Sequence, residues 1–147
     1  MSSQETSAEV AVREASDRFY DALEQMANGD PEPMSSVWAH DDNVTTMHPI
    51  GGREIGWEEV RGPWSAVAEM SSDGEVTRAD QFIRVFEDTA YEIATEKVSM
   101  TFAGEPVSLE VRATNVYRLV DDEWKIIHHH TDVDDEFVAL LEQSAGN

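Results

Sequence analysis

The residues best equipped for chemistry in this sequence are its histidines and one strand amide. The segment Trp124-Lys125-Ile126-Ile127-His128-His129-His130-Thr131 reads as a strand. Strict alternation places Trp124, Ile126, His128 and His130 on one face and Lys125, Ile127, His129 and Thr131 on the other. His128 and His130, roughly 7 Å apart along a strand, have the spacing of a divalent-metal pair, with His48 or His40 as a third ligand. The competing reading has one histidine hydrogen-bonded inside the sheet and another at a surface or subunit contact. An acidic chain supplies such neighbours by chance, so neither a metal nor a cofactor is expected.

His48 stands before Pro49, which restricts it to extended geometry and holds its imidazole in one direction. A histidine so placed at a cavity mouth can act as general base or acid near neutrality; alternatively it only fixes the turn. On the segment 106–120, Val107, Leu109, Val111, Ala113, Asn115, Tyr117 and Leu119 share one face, and Asn115 interrupts the apolar file. A buried amide must be satisfied or line a wet cavity, since leaving it unpaired costs roughly 1–3 kcal/mol. Asn115 and Tyr117 are expected to line a pocket, although one bulge would move the file to the other side. Trp38, Trp57 and Trp64 supply apolar mass to the core or to cavity walls. No GxGxxG, Walker loop, GxSxG or HExxH pattern occurs, which removes the usual nucleotide, serine-hydrolase and zincin readings.

Several elements must position these residues. Val12, Ala15, Phe19, Ala22, Leu23 and Met26 recur at helical spacing over 8–28, and Asn28-Gly29 offers left-handed termination. Asp30-Pro31 opens a short helix through Trp38. Val44 to Met47 is a short strand stopped by Pro49, and 50–55 reads as a turn plus a second short strand. Trp57, Val60, Trp64, Val67 and Met70 predict a third helix, kinked or restarted at Gly62-Pro63. From Gly74 the period becomes two, predicting strands at 75–87, 89–102, 106–120 and 123–133 joined by short turns. Residues 134–143 could add a helical turn or two, with the last few residues frayed. Helices followed by an antiparallel meander describe one α+β domain over 1–147, its core at about 8–133 and a short extension at 134–147.

Composition narrows the function. With Lys+Arg 10 and Asp+Glu 31 the net charge is −21, which repels phosphate backbones and anionic headgroups, so neither nucleic acid nor membrane is an expected partner. The chain has no cysteine, which excludes disulfides, thiolate metal sites and a cysteine nucleophile. There is no apolar run of about 20 residues to span a bilayer. The opening MSSQETSAEV has neither a basic nor an apolar leader segment, and a cytoplasmic location is expected. Four tryptophans argue against disorder, so the acid decorates a folded surface. Such a surface is either an adaptation to concentrated salt or that of an ordinary acidic protein.

The order of elements, together with FYDALEQMANGD, VWAHDDNVTTMHPIGGREIGWEEV, the helix around Trp64 and LEVRATNVYRLVDDEWKIIHHHTD, resembles the NTF2-like superfamily. Within it the chain looks most like SnoaL-like or DUF4440-type proteins, whose last strand runs from a tryptophan to a histidine-rich ending. The resemblance implies a ketosteroid-isomerase-like cone, with N-terminal helices packed on a strongly curved, mostly antiparallel sheet. It also places His48 where those isomerases carry a catalytic aspartate before a proline. Their oxyanion tyrosine corresponds to Phe19, with Tyr20 adjacent but expected to point elsewhere. The association domain of calmodulin-dependent kinases shares the final-strand pattern.

What this implies is a homodimer whose pocket holds a small, mainly apolar organic molecule, with cofactor-independent proton transfer, isomerisation or hydration as the candidate chemistry. His48 is then the candidate base, and Trp38, Trp64, Asn115, Tyr117, His128 and His130 line the ligand. The alternative is a non-catalytic ligand-binding or assembly module. A cavity of several hundred Å³ holding His48 and convergent donors would favour chemistry, and one filled by Trp and Met would favour assembly. Ile93, Val116 and Ile127 on the long strands are the expected dimer face.

Overall fold

Thr6 opens the first helix, α1 (Ser7–Met26), through a capping box: its hydroxyl accepts from Glu9 N–H while the Glu9 carboxylate accepts from Thr6 N–H. The computed structural model containing this helix describes residues 6–49 and 51–145; the turn expected at Ile50 and the fraying expected at 146–147 lie outside the described residues. Ser16, Phe19, Tyr20 and Leu23 are all buried on α1, a wider stripe than a helix lying on a flat sheet would bury. The reason is that α1 sits inside a concavity and touches β3, β6, α2 and α3.

The remaining elements are α2 (Glu32–Val37), β1 (Thr45–His48), β2 (Gly51–Ile55), α3 (Trp57–Glu69), β3 (Ser71–Phe86), β4 (Thr89–Phe102), β5 (Glu105–Val120), β6 (Glu123–Thr131) and α4 (Asp135–Ala145). The expected kink does not divide α3, which continues through Pro63. Gly62 before it lacks the Cβ that proline would strike, which lets that residue stay helical. At the other end of the chain α4 is longer than the turn or two expected, and Phe137 packs edge-on against Phe102 at 5.0 Å. The residues at 134–145 thereby help close one end of the core.

The strands form one sheet in the order β2-β1-β6-β5-β4-β3, antiparallel except for the parallel pair β1 and β6. Positive φ at Ala103-Gly104 and Asp121-Asp122 gives the tight hairpin turns that match strand twist. Register shifts between Ser72 and Glu75 and between Ala79 and Phe82 on β3, and at Val116 and Tyr117 on β5, bend the long strands around the helices. The architecture is thus an α+β cone, helices inside a curled sheet.

One of these shifts corrects the expected facing of the last strand. Val116 pairs with His128 and Tyr117 with Ile126, so Ile127 is an extra residue on β6. Trp124 and Ile126 point inward, but beyond the bulge the inward positions are His129 and Thr131, while His128 is half-buried and His130 exposed. On β5 the alternation holds: Leu109, Val111, Ala113, Asn115 and Tyr117 are buried.

Candidate functional site

The concave face of the sheet carries a polar cluster where a simple core would be apolar. Strand β4 sends Ala90, Glu92, Ala94 and Glu96 inward, and Glu92 and Glu96 are 0% and 2% exposed. Glu92 accepts hydrogen bonds from Ser16 (2.6 Å) and Gln81 (2.6 Å) on Oε2 and from Asn115 (3.0 Å) and Tyr117 (2.7 Å) on Oε1. Every side of this carboxylate faces a donor, which offsets the cost of burying it. Arg78 extends the cluster to the surface, donating to Ser16 and Asp17 at 2.8 Å each.

Glu96 lies deeper and is less supported. The Tyr20 hydroxyl bonds its Oε2 at 2.7 Å, and His129 Nε2 stands 3.7 Å from the same oxygen. Burial pushes the Glu96 carboxyl up to about 7, aided by the charge of Glu92 and opposed by the Tyr20 bond. Burial holds His129 well below the usual histidine range, helped by the neighbouring histidines. Tyr20 is raised far above the ordinary phenol range by burial and by Glu96 and Glu92, and Tyr117 by burial and Glu92. Asn115 connects the groups: its Nδ2 donates to Tyr20 (2.9 Å) and Glu92, and its Oδ1 meets His129 Nδ1 at 2.5 Å. Tyr20, expected to point away, is therefore part of the cluster, because α1 is enclosed on more than one side.

Beside this cluster is a cavity of about 60 Å³. Its wall is mainly apolar, from Leu23, Met26, Val98, Met100, Leu109 and Phe137 among others, with His48, Trp64, Glu96 and His129 as its groups able to hydrogen-bond through side chains. His48, 6% exposed, reaches the wall from the end of β1 and meets Trp64 edge-on at 4.6 Å. Its Nε2 lies 3.4 Å from Glu54 Oε1 but makes no hydrogen bond, and Glu54 instead takes the Thr46 hydroxyl at 2.6 Å. Burial lowers the His48 imidazole to about 4, so it is neutral at pH 7. Trp64 Nε1 is likewise buried without a partner. An orphaned buried polar atom costs roughly 1–3 kcal/mol, so His48 Nε2, which faces Glu54, and Trp64 Nε1 are both held at a cost to stability.

The other sequence candidates fall in different places. Trp38 is buried in the core with its indole N–H directed at Met34 sulfur, 3.3 Å away, and neither it nor Asn115 or Tyr117 is on the cavity wall. His128 and His130 are corrected from the inner to the outer face by the Ile127 bulge: His128 Nδ1 bonds the Thr45 hydroxyl at 2.6 Å, and His130 borders a shallow depression with Arg112 and Asp132. His40 stacks on Trp57 at 4.3 Å. Among the described residues no group of three His, Asp or Glu is arranged to hold a metal ion.

Glu92 and Glu96 were not singled out from the sequence. The available signal was the alternating file Ala90-Glu92-Ala94-Glu96-Val98-Met100-Phe102, in which two carboxylates share a face with apolar residues. In a chain with 31 acidic residues that contrast is weak.

Helices packed on a curled, mostly antiparallel six-stranded sheet define an α+β class, here with ionisable groups sealed against the inner face of the sheet. The SnoaL-like domain model matches residues 12–133, and the chain belongs to that family, within the NTF2-like superfamily. No curated protein matches it. Among solved structures, one named as a dehydratase of the NTF2-like family from Streptomyces avermitilis is 28% identical, with a TM-score of 0.75 over 85% of this chain and 94% of that one. One named as a calcium/calmodulin-dependent protein kinase type II association domain, from Thiobacillus denitrificans, is 27% identical with a TM-score of 0.65, over 83% and 94%. A third, named as an aromatic ring hydroxylase from Novosphingobium aromaticivorans, shares the fold at 16% identity and a TM-score of 0.71, over 84% and 87%. Three different roles on one scaffold leave function to the residues of the site. Among the described residues no helix is long and apolar enough to cross a membrane.

Proposed function

We propose that this chain holds a small, mainly apolar, uncharged organic molecule in the cone and moves a proton on it, as an isomerase or dehydratase does. The observation that carries the reading is the pair Glu96 and His129, 3.7 Å apart on the cavity wall and both disfavoured in their charged forms. A protonated carboxyl is an acid and a neutral imidazole is a base, so both halves of a proton transfer come from the chain itself. His48, its ring 6.3 Å from that of His129, is the second candidate base. Among the described residues no Lys or Arg lines the cavity, so an anionic ligand would enter without a counter-charge. The volume of about 60 Å³, with Met26, Met100 and Trp64 on the wall, is below the several hundred Å³ expected of a chemical site, so by size alone the cavity favours assembly, and a ligand would have few heavy atoms.

The test is solvent-deuterium exchange into small ketones such as cyclopentanone, followed by NMR for the wild type, Glu96→Gln and His129→Gln. Exchange about 10²–10⁴ slower in the variants is expected. A wild type no faster than its variants would end the proton-transfer reading.

A second reading, assembly, is favoured by the outer face of the sheet. Phe86 is 61% exposed and stacks on Tyr91, with Phe82 and Ile93 at 41% and 46%. We propose that this face, with the outer sides of β5 and β6, pairs two copies of the chain. Light scattering at micromolar concentration should give twice the chain mass, and a monomer would remove this reading.

A further inference from the structure

We propose that Glu92, acting through Asn115, holds His129 as the Nδ1–H tautomer and so presents the Nε2 lone pair of that imidazole to Glu96 and the cavity. The inference rests on the proton-transfer reading for its purpose, but its geometry is independent of any substrate.

Glu92 has its carboxylate filled by donors on all sides. Its Oε2 is taken by Ser16 and Gln81 and one side of Oε1 by Tyr117, which leaves Oε1 to face Asn115 as an acceptor. The Asn115 amide must then turn its Nδ2 toward Glu92, because the reversed orientation would set Oδ1 against a carboxylate oxygen at 3.0 Å. The Tyr20 hydroxyl agrees with this orientation without deciding it: it gives its proton to Glu96 at 2.7 Å and accepts from Asn115 Nδ2 at 2.9 Å.

Once the amide is oriented, only its Oδ1 is left for His129, and an oxygen 2.5 Å from Nδ1 requires the proton to be on that nitrogen. Burial among other histidines keeps His129 from taking a second proton, so Nε2 is bare. That atom stands 3.7 Å from Glu96 Oε2, too far for a hydrogen bond to occupy it. The base is therefore kept free on the cavity wall. The bulge at Ile127 is part of the device, since strict alternation from Ile126 would have put His129 on the outer face. Glu92 touches neither the cavity nor His129; it is a positioning residue.

The experiment is long-range ¹H–¹⁵N NMR of the imidazoles in the full chain at pH 8. In the wild type His129 should show a protonated Nδ1 and a lone-pair Nε2 shift, and a protonated Nε2 would overturn the proposal. Glu92→Gln keeps the shape, but its amide can turn to donate to Asn115 Oδ1, so signals of the second His129 tautomer should appear. An unchanged single Nδ1–H signal in folded Glu92→Gln would overturn the role of Glu92. Since wild-type spectra require no substitution, the tautomer is tested even if that variant does not fold. A correct tautomer with no deuterium exchange into ketones would count against the proton-transfer reading alone.

Discussion

Glu96 Oε2 and His129 Nε2 face each other across 3.7 Å inside the cone, and burial weakens the charged form of both. Both groups are thereby disfavoured as ions, and the stability of the chain should depend on pH in a definite direction. Glu96 rises from an ordinary 4.5 to about 7, so the folded chain binds its proton more tightly than the unfolded chain. Its contribution is fully present below 4.5 and is lost as pH rises to about 7, worth about 3 kcal/mol at 1.36 kcal/mol per pH unit. Urea denaturation at pH 4.5 and pH 8 should show the wild type losing roughly that much more than Glu96→Gln. Equal losses would mean that Glu96 titrates in the folded chain as it does in the unfolded one.

His48 should act in the opposite sense. Its imidazole falls from 6.5 to about 4, so stability is complete above 6.5 and is lost as pH falls through the window to about 4. His48→Ala should abolish that acid-side slope, at a cost of about 1–2 kcal/mol at neutral pH because the deleted ring only enlarges an existing cavity. Its effect on turnover should be larger, a loss of about 10²–10⁴ if the imidazole is the base. Intact turnover with an altered pH slope would confine His48 to packing.

Gly74 tests how the cone is closed against the end of α1. A Cβ at this position would lie 2.3 Å from Ala27 Cβ and 2.7 Å from Ala27 O, so backbone must move. Asn28 holds the approach from both sides, accepting from Gly74 N–H and donating to Gly74 O at 3.0 Å each. Gly74→Ala should cost about 2–3 kcal/mol in thermal or chemical denaturation. A neutral effect would show that β3 can slide away from α1.

The surface predicts a response to salt. A net charge of −21 is self-repelling, and screening relieves it. The thermal midpoint should rise from low salt to molar potassium chloride. A flat or falling midpoint would show that the acidic surface carries no adaptation to concentrated salt.

The helical spacing of Val12, Phe19, Leu23 and Met26 and the hairpin turns at Gly104 and Asp121-Asp122 were legible in the sequence, because each is local; the change to period two was legible too, but the strand begins at Ser71 and not after Gly74, because Ser71 and Ser72 pair with Phe102 and Thr101. The same holds for the family, carried by the order of these elements and the ending of β6. His48 before Pro49 could be singled out for a local reason too, since proline limits the residue that precedes it. The inward turn of His129 could not, because the bulge at Ile127 follows from how β6 must pair with β5 and β1 together. Nor could the burial of Glu92 and Glu96, which are two carboxylates among many until Asn115, Tyr20 and Tyr117, distant in the chain, arrive to satisfy or confine them. Sequence periodicity determines which faces an element has; closure of the sheet around α1 decides which residues those faces bring together, because a single extra residue reverses a strand and hydrogen bonds across the cone join positions up to 95 residues apart.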